Sequence, residues 1–191
     1  MADKAKIKIG IPTFFFFSAL VLFNCNISAL MPFICALLHE SGHLLAMKIS
    51  KIKIKEIKIL PFGIDIKKAP SVSSYKTDIL ISSAGVLTNV LLIILGRTLF
   101  KIPESNTFIL SNYLLVLINV LPIKSLDGGQ MLELLLLLKL SPETAEKIMS
   151  VLSLITLTLL GCIAIWLLIN TSYNFTLLLM CMYLFCGIFL K

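Results

Sequence analysis

Met31-Pro32-Phe33-Ile34-Cys35-Ala36-Leu37-Leu38-His39-Glu40-Ser41-Gly42-His43-Leu44-Leu45-Ala46-Met47-Lys48-Ile49 reads as a helix long and apolar enough to cross a membrane, yet it carries two histidines and a glutamate. Such groups are costly in hydrocarbon and need a reason for being there. His39 and His43 are the only histidines of the chain. Their i, i+4 spacing stacks them on one helix face, where two imidazoles can reach one zinc ion. Glu40 follows the first histidine, the place of a general base acting on a zinc-bound water. Ser41 and Gly42 add little bulk beside them. The bland alternative is a pair of hydrogen-bonded core histidines with a chance glutamate between them. That reading suits a soluble protein far better than an apolar span.

Composition places this span in its setting. The chain has 191 residues, 58% of them hydrophobic and 14% charged, with a mean hydropathy of +1.00. A soluble domain of this size needs more polar surface, so the class is a membrane protein. The net charge of +7 does not indicate nucleic acid, because the lysines fall in short segments between apolar runs. The N-terminal lysines and apolar run faintly resemble a signal peptide, but no clean cleavage site follows, so this is a retained first helix. Spans are expected at Ile11 to Leu30, Met31 to Ile49 (after a break at Asn24-Cys25-Asn26 and Pro32), Asp78 to Phe100, a fourth from Thr107 interrupted between Pro122 and Gly129 and resuming over Met131 to Leu140, Ile148 to Asn170, and Phe175 to Leu190. Ser141 is the expected N-cap of the helix that Pro142 begins. The expected architecture is an all-α polytopic membrane protein of about six helices, residues 1–191 forming a single domain. With the N-terminus cytoplasmic, every lysine but Lys101 falls on the inside, and only Arg97 and Lys101 lie outside. Both termini are therefore expected in the cytoplasm of a multi-pass cell-membrane protein.

One segment breaks the helical pattern. Lys51 to Leu60 alternates isoleucine and lysine, the signal of a strand. The alternation slips at Lys55-Glu56, where a bulge is expected. Pro61-Phe62-Gly63 turns the chain, and Ile64-Asp65-Ile66 returns as a second strand. This small membrane-associated hairpin is either a solvated charged loop or a sheet edge that receives an extended peptide. The five cysteines, Cys25, Cys35, Cys162, Cys181 and Cys186, lie in or beside apolar runs and read as small buried hydrophobes.

Two histidines leave a zinc ion short of a protein ligand. The acids available are Glu56, Asp65, Asp78, Glu104, Asp127 and Glu133. His39 and His43 lie toward the cytoplasmic end of their span, and Asp127 lies on the same side, in irregular backbone at membrane depth. Such backbone is tolerated only within protein or at a wet cavity. Asp127 is thus the best third ligand; its competing role is an N-cap of the helix that follows.

His39-Glu40-Ser41-Gly42-His43 together with Asn119-Val120-Leu121-Pro122-Ile123-Lys124-Ser125-Leu126-Asp127-Gly128-Gly129 resembles the two signatures of the site-2 protease family of intramembrane metalloproteases, H-E-x-x-H and N-x-x-P-x-x-x-L-D-G. The resemblance covers roughly Ile11 to Leu190 and is nearest the short sporulation-type branch, which processes a membrane-associated pro-sigma factor. It implies zinc ligation by His39, His43 and Asp127, catalysis by Glu40, and a substrate-facing loop at Asn119 and Pro122. It also implies substrate pairing at the strands, through Ile54, Ile57, Ile59, Phe62 and Gly63. Ala84-Gly85-Val86-Leu87-Thr88-Asn89 is similar to the family's A-G-P-x-x-N pattern, with Val86 in place of the proline. No PDZ or CBS domain is expected. The implied function is cleavage of membrane-tethered proteins such as pro-sigma or anti-sigma factors, with one Zn2+ as cofactor. The implied partners are that substrate, the lipid bilayer and membrane regulatory proteins, and the active site opens to the cytoplasm. The competing reading is a non-catalytic metal-binding membrane protein, a pseudoprotease or transporter.

Overall fold

The computed structural model describes residues 6–9, 27–60, 63–68, 74–99, 104–171 and 175–189. The chain divides into two compact units, Met1–Leu117 and Ile118–Lys191. Three described helical stretches, Leu30–Ile49, Tyr75–Thr98 and Pro142–Thr171, are long and apolar enough to cross a membrane. Asn106–Asn119 and Leu177–Gly187 are shorter apolar helices.

The first unit holds strand β1 (Lys6–Ile9), helix α1 (Ile27–Ile49), strands β2 (Ile54–Leu60) and β3 (Gly63–Lys68), helix α2 (Tyr75–Leu99) and most of α3 (Glu104–Asn119). α1 and α2 approach through small residues: a Cβ on Gly42 would meet the Ala84 carbonyl oxygen at 2.8 Å and would collide with Thr88. Close backbone approach of this kind is how helices associate in lipid, where apolar burial alone gives little drive. Ala46, Met47 and Ile81 extend the contact, with Ile52, Ile54 and Ala84 packed against them. On α3 the buried Asn112 amide donates to the Cys35 sulfur at 3.1 Å and to the Phe108 carbonyl at 2.9 Å, tying α3 to α1.

α1 starts earlier than its sequence suggests. Pro32 lies inside it and does not begin it, because one missing N–H so near a helix start removes a single bond. Of the first expected span, residues 11–26 lie outside the described residues, and Ile27 to Leu30 belong to α1. α1 ends in a Schellman motif: Ile52 N–H donates to the Met47 carbonyl at 2.9 Å, Lys51 N–H to that of Lys48 at 3.1 Å, and Ile52 packs on the Met47 cluster. Lys51 takes the left-handed position with φ 56°. The expected strand therefore begins at Ile54, not Lys51.

The sheet has the order β1-β2-β3. β2 and β3 pair antiparallel, with the register shift between Ile54 and Glu56 at the expected bulge. β1, which the sequence reading passed over, pairs parallel with β2, Lys6 opposite Glu56 and Ile9 opposite Ile59. Its Lys-Ile-Lys-Ile alternation carries the same strand signal as β2. β2 is consequently the middle strand, so Ile54, Ile57 and Ile59 do not lie on a sheet edge. Among the described residues the edges belong to β1 and β3, and β3 also touches α1.

The second unit holds the loop after α3, then α4 (Asp127–Leu137), α5 (Pro142–Thr171) and α6 (Phe175–Phe189). α4 starts at Asp127 and ends at Leu137, not over Met131 to Leu140. Gly128 and Gly129 are part of its first turn and do not break it. α5 begins where expected, at Pro142, with Thr144 N–H donating to the Ser141 hydroxyl at 3.4 Å. One face of α5, Ala145, Met149, Ser153, Leu157 and Ala164, is buried. Ile123 of the loop, Leu157 of α5 and Leu184 of α6 make the core of this unit, with Leu121, Leu126 and Met180 around it. The four described cysteines are all free thiols.

Candidate metal centre

The first unit carries the histidine pair. His39 and His43 are 5% and 8% exposed, and their rings meet edge to face with centroids 4.9 Å apart. His43 Nδ1 lies 2.8 Å from the Ile81 carbonyl oxygen. A carbonyl only accepts, so the proton sits on Nδ1. His39 Nδ1 likewise donates to Asn89 Oδ1 at 3.0 Å. With the proton on Nδ1 each ring turns its Nε2 inward, and the two Nε2 atoms face each other at 3.3 Å. Two imidazole nitrogens presented at that spacing can share one cation. Nitrogens on a tetrahedral zinc, at about 2.0–2.1 Å each, stand about 3.3–3.4 Å apart. The pair therefore fits a zinc ion, with each ring held from behind as metal-ligating histidines usually are.

α2 makes this possible at two positions. A Cβ on Gly85 would lie 2.6 Å from His39 Nε2 and Cε1 and would collide with His43, so only glycine lets α2 lie against the imidazoles. One turn on, Asn89 is fully buried, and its amide nitrogen meets no hydrogen-bond partner among the described residues. Leaving that donor unmatched costs stability, which marks Asn89 as held in place by the acceptor it offers His39. Glu40 is half-buried on the same helix as the histidines.

The second unit carries Asp127. It is half-buried and is the first residue of α4. The cap position falls on Leu126, in extended conformation and with no side-chain cap hydrogen bond, so Asp127 is not the N-cap. A carboxylate in the first turn is favoured by the helix dipole. The preceding loop is tight: Leu121 N–H donates to the Ile118 carbonyl, Ile123 N–H to that of Leu121, and Leu126 N–H to that of Ile123. Gly129 fits where a Cβ would collide with the Ile123 carbonyl, and Gly128 where one would collide with that of Val120. Lys124 N–H donates to the buried Ser153 hydroxyl at 2.9 Å, and the Lys124 ammonium pairs with Glu146 at 3.0 Å.

Of the residues expected to meet substrate, Asn119 ends α3 and Pro122 lies in the loop, both half-buried. Ile54, Ile57 and Ile59 are on β2, and Gly63 opens β3. Phe62 lies outside the described residues. Sequence reading missed four contributors. Asn89 and Gly85 stood in a pattern already noticed, and an asparagine within an apolar span is itself a signal. The Ile81 carbonyl and Ser153 left no comparable mark.

No family model and no curated protein matches the chain. Among solved structures it is similar to the Site-2 Protease from Methanocaldococcus jannaschii, with a TM-score of 0.58 and 24% identity over 95% of this chain and 88% of that one. The likeness is one of fold: this is a helical membrane protein with the architecture of that protease.

Proposed function

We propose that this chain, with its site-2 protease fold, is an intramembrane zinc metalloprotease. One observation carries the proposal: two buried imidazoles with both Nδ1 atoms donating to fixed acceptors and both Nε2 atoms facing each other at 3.3 Å. In this reading His39, His43 and Asp127 hold one Zn2+. They would supply two imidazole nitrogens and a carboxylate oxygen, a donor set that suits zinc and leaves a fourth position for water or substrate. When bound, zinc brings the pKa of a water toward about 7 and polarises the scissile carbonyl. Glu40 takes the proton from the attacking water and delivers it to the leaving amine nitrogen.

The substrate is a membrane-tethered protein, such as a pro-sigma or anti-sigma factor, that unwinds before cleavage because helix hydrogen bonds occupy its carbonyls. Asn119 hydrogen-bonds the extended peptide beside Pro122. The peptide joins the sheet by strand addition at the edge that Gly63 begins, with Ile54, Ile57 and Ile59 of β2 one strand further in and Phe62 just before Gly63 in the sequence. Residues 1–191 act as a single catalytic domain. The lysine distribution supports cytoplasmic termini and a cytoplasmic opening.

The test is metal analysis and cleavage by the purified protein in proteoliposomes containing membrane-tethered candidates. Wild type and Glu40→Gln are expected to hold one zinc per chain, and only wild type to cleave. Unchanged cleavage by Glu40→Gln overturns the assignment. Zinc in both with no cleavage of any candidate favours a non-catalytic metal-binding protein.

A further inference from the structure

We infer that Ser153 of α5 is a positioning residue, whose hydroxyl fixes the loop that presents Asp127. The inference rests on the reading of Asp127 as a metal ligand and extends it to a helix that carries no ligand of its own.

The hydroxyls of α5 supply the contrast. Inside an apolar helix a serine or threonine ordinarily donates back to the carbonyl four residues before it. Ser150, Thr156, Thr158 and Thr171 do this, bonding the carbonyls of Glu146, Leu152, Leu154 and Leu167 at 2.7–2.8 Å. Ser153 does not. It is fully buried, accepts the Lys124 N–H at 2.9 Å and turns its own proton toward the Pro122 carbonyl at 3.5 Å. Its hydroxyl thus meets a donor and an acceptor of the loop's backbone.

The grip is short-ranged. Ile123, next to Lys124, is fully buried against Leu157, one turn on from Ser153 along α5. Ile123 in turn accepts the N–H of Leu126, the residue before Asp127. Gly129, in the first turn of α4, lies against the Ile123 carbonyl and the Lys124 nitrogen with no room for a Cβ. A displacement of the Lys124 amide therefore reaches the turn that carries Asp127 through rigid backbone. The Lys124–Glu146 pair reinforces the loop only weakly, since Glu146 is 66% exposed and exposed ion pairs contribute little.

The experiment compares wild type, Ser153→Ala, Asp127→Ala and Thr156→Ala, the last removing a hydroxyl bonded only within its own helix. Each purified full chain is read three ways: hydrogen exchange at the Lys124 amide, zinc affinity by chelator competition, and kcat and KM. For Ser153→Ala the Lys124 amide exchanges at least about tenfold faster and zinc affinity falls about tenfold, as for other partners behind a ligand. Its kcat falls with KM held within about twofold. Thr156→Ala matches wild type. Wild-type exchange at Lys124 in Ser153→Ala overturns the inference. So does unchanged zinc affinity there beside a large loss in Asp127→Ala. Unchanged zinc affinity in Asp127→Ala overturns the ligand assignment itself, so the two failures are told apart.

Discussion

At the scale of single residues, the histidine pair depends on two groups that never touch the metal. The Ile81 carbonyl fixes the proton of His43, and Asn89 fixes that of His39. The first is backbone and cannot be mutated away; the second can. Asn89→Leu keeps the volume, removes the acceptor and leaves the His39 Nδ1–H unmatched in a buried site. Zinc affinity is expected to fall about 10–100-fold, measured by competition with a chelator, while the helix content of the purified protein stays unchanged. Equal affinity in the variant would show that the His39 tautomer needs no help. The Asn89 side chain was visible in the sequence as a polar group in an apolar span, but its role was not. Which ring nitrogen it meets depends on how two helices face each other, and spacing along one helix says nothing about that.

At the scale of elements, the join between α1 and β2 carries a strain that the sequence does not advertise. The Schellman turn needs a residue with positive φ, and this chain places Lys51 there, with a Cβ that the left-handed region disfavours. Lys51→Gly is expected to raise stability by about 1 kcal/mol, read as a higher thermal midpoint in detergent with cleavage unchanged. A lower midpoint would mean that the lysine side chain contributes more than its backbone costs. The strands that follow were legible because alternation has a period of two, and even the bulge at Lys55 was visible as a slip in that alternation. β1 was missed although it carries the same pattern. β1 lies far from β2 in the chain, and no local rule announces a parallel pairing at that separation.

At the scale of the whole molecule, the proposed ligands come from helices far apart in sequence. A zinc ion held by all three stabilises the folded chain by mass action, by about 4 kcal/mol when free zinc is about a thousand times its dissociation constant. Chelation is therefore expected to lower the thermal midpoint of wild type and to abolish cleavage, with both restored by added zinc. His43→Ala is expected to start from the lower midpoint and to lose nothing further on chelation. A midpoint in wild type indifferent to chelator would sink the proposed ion.

The sequence alone determined that this is a membrane chain, where most of its apolar helices run, and that His39, Glu40 and His43 share a helix turn within one of them. These follow from composition and from fixed local periods, which the backbone imposes before any packing. Helix starts were legible only where a cap announced them, as at Ser141-Pro142, and not where the chain simply turned helical at Ile27 or Asp127. Only the tertiary structure decided that Gly85 leaves room for both imidazoles, that Ile81 and Asn89 hold their protons, that β2 lies inside a three-stranded sheet, and that Ser153 reaches the loop before Asp127. Each of these depends on a contact between segments distant in the chain, and the free energy of such contacts lies in shape and hydrogen-bond geometry that no single segment carries by itself.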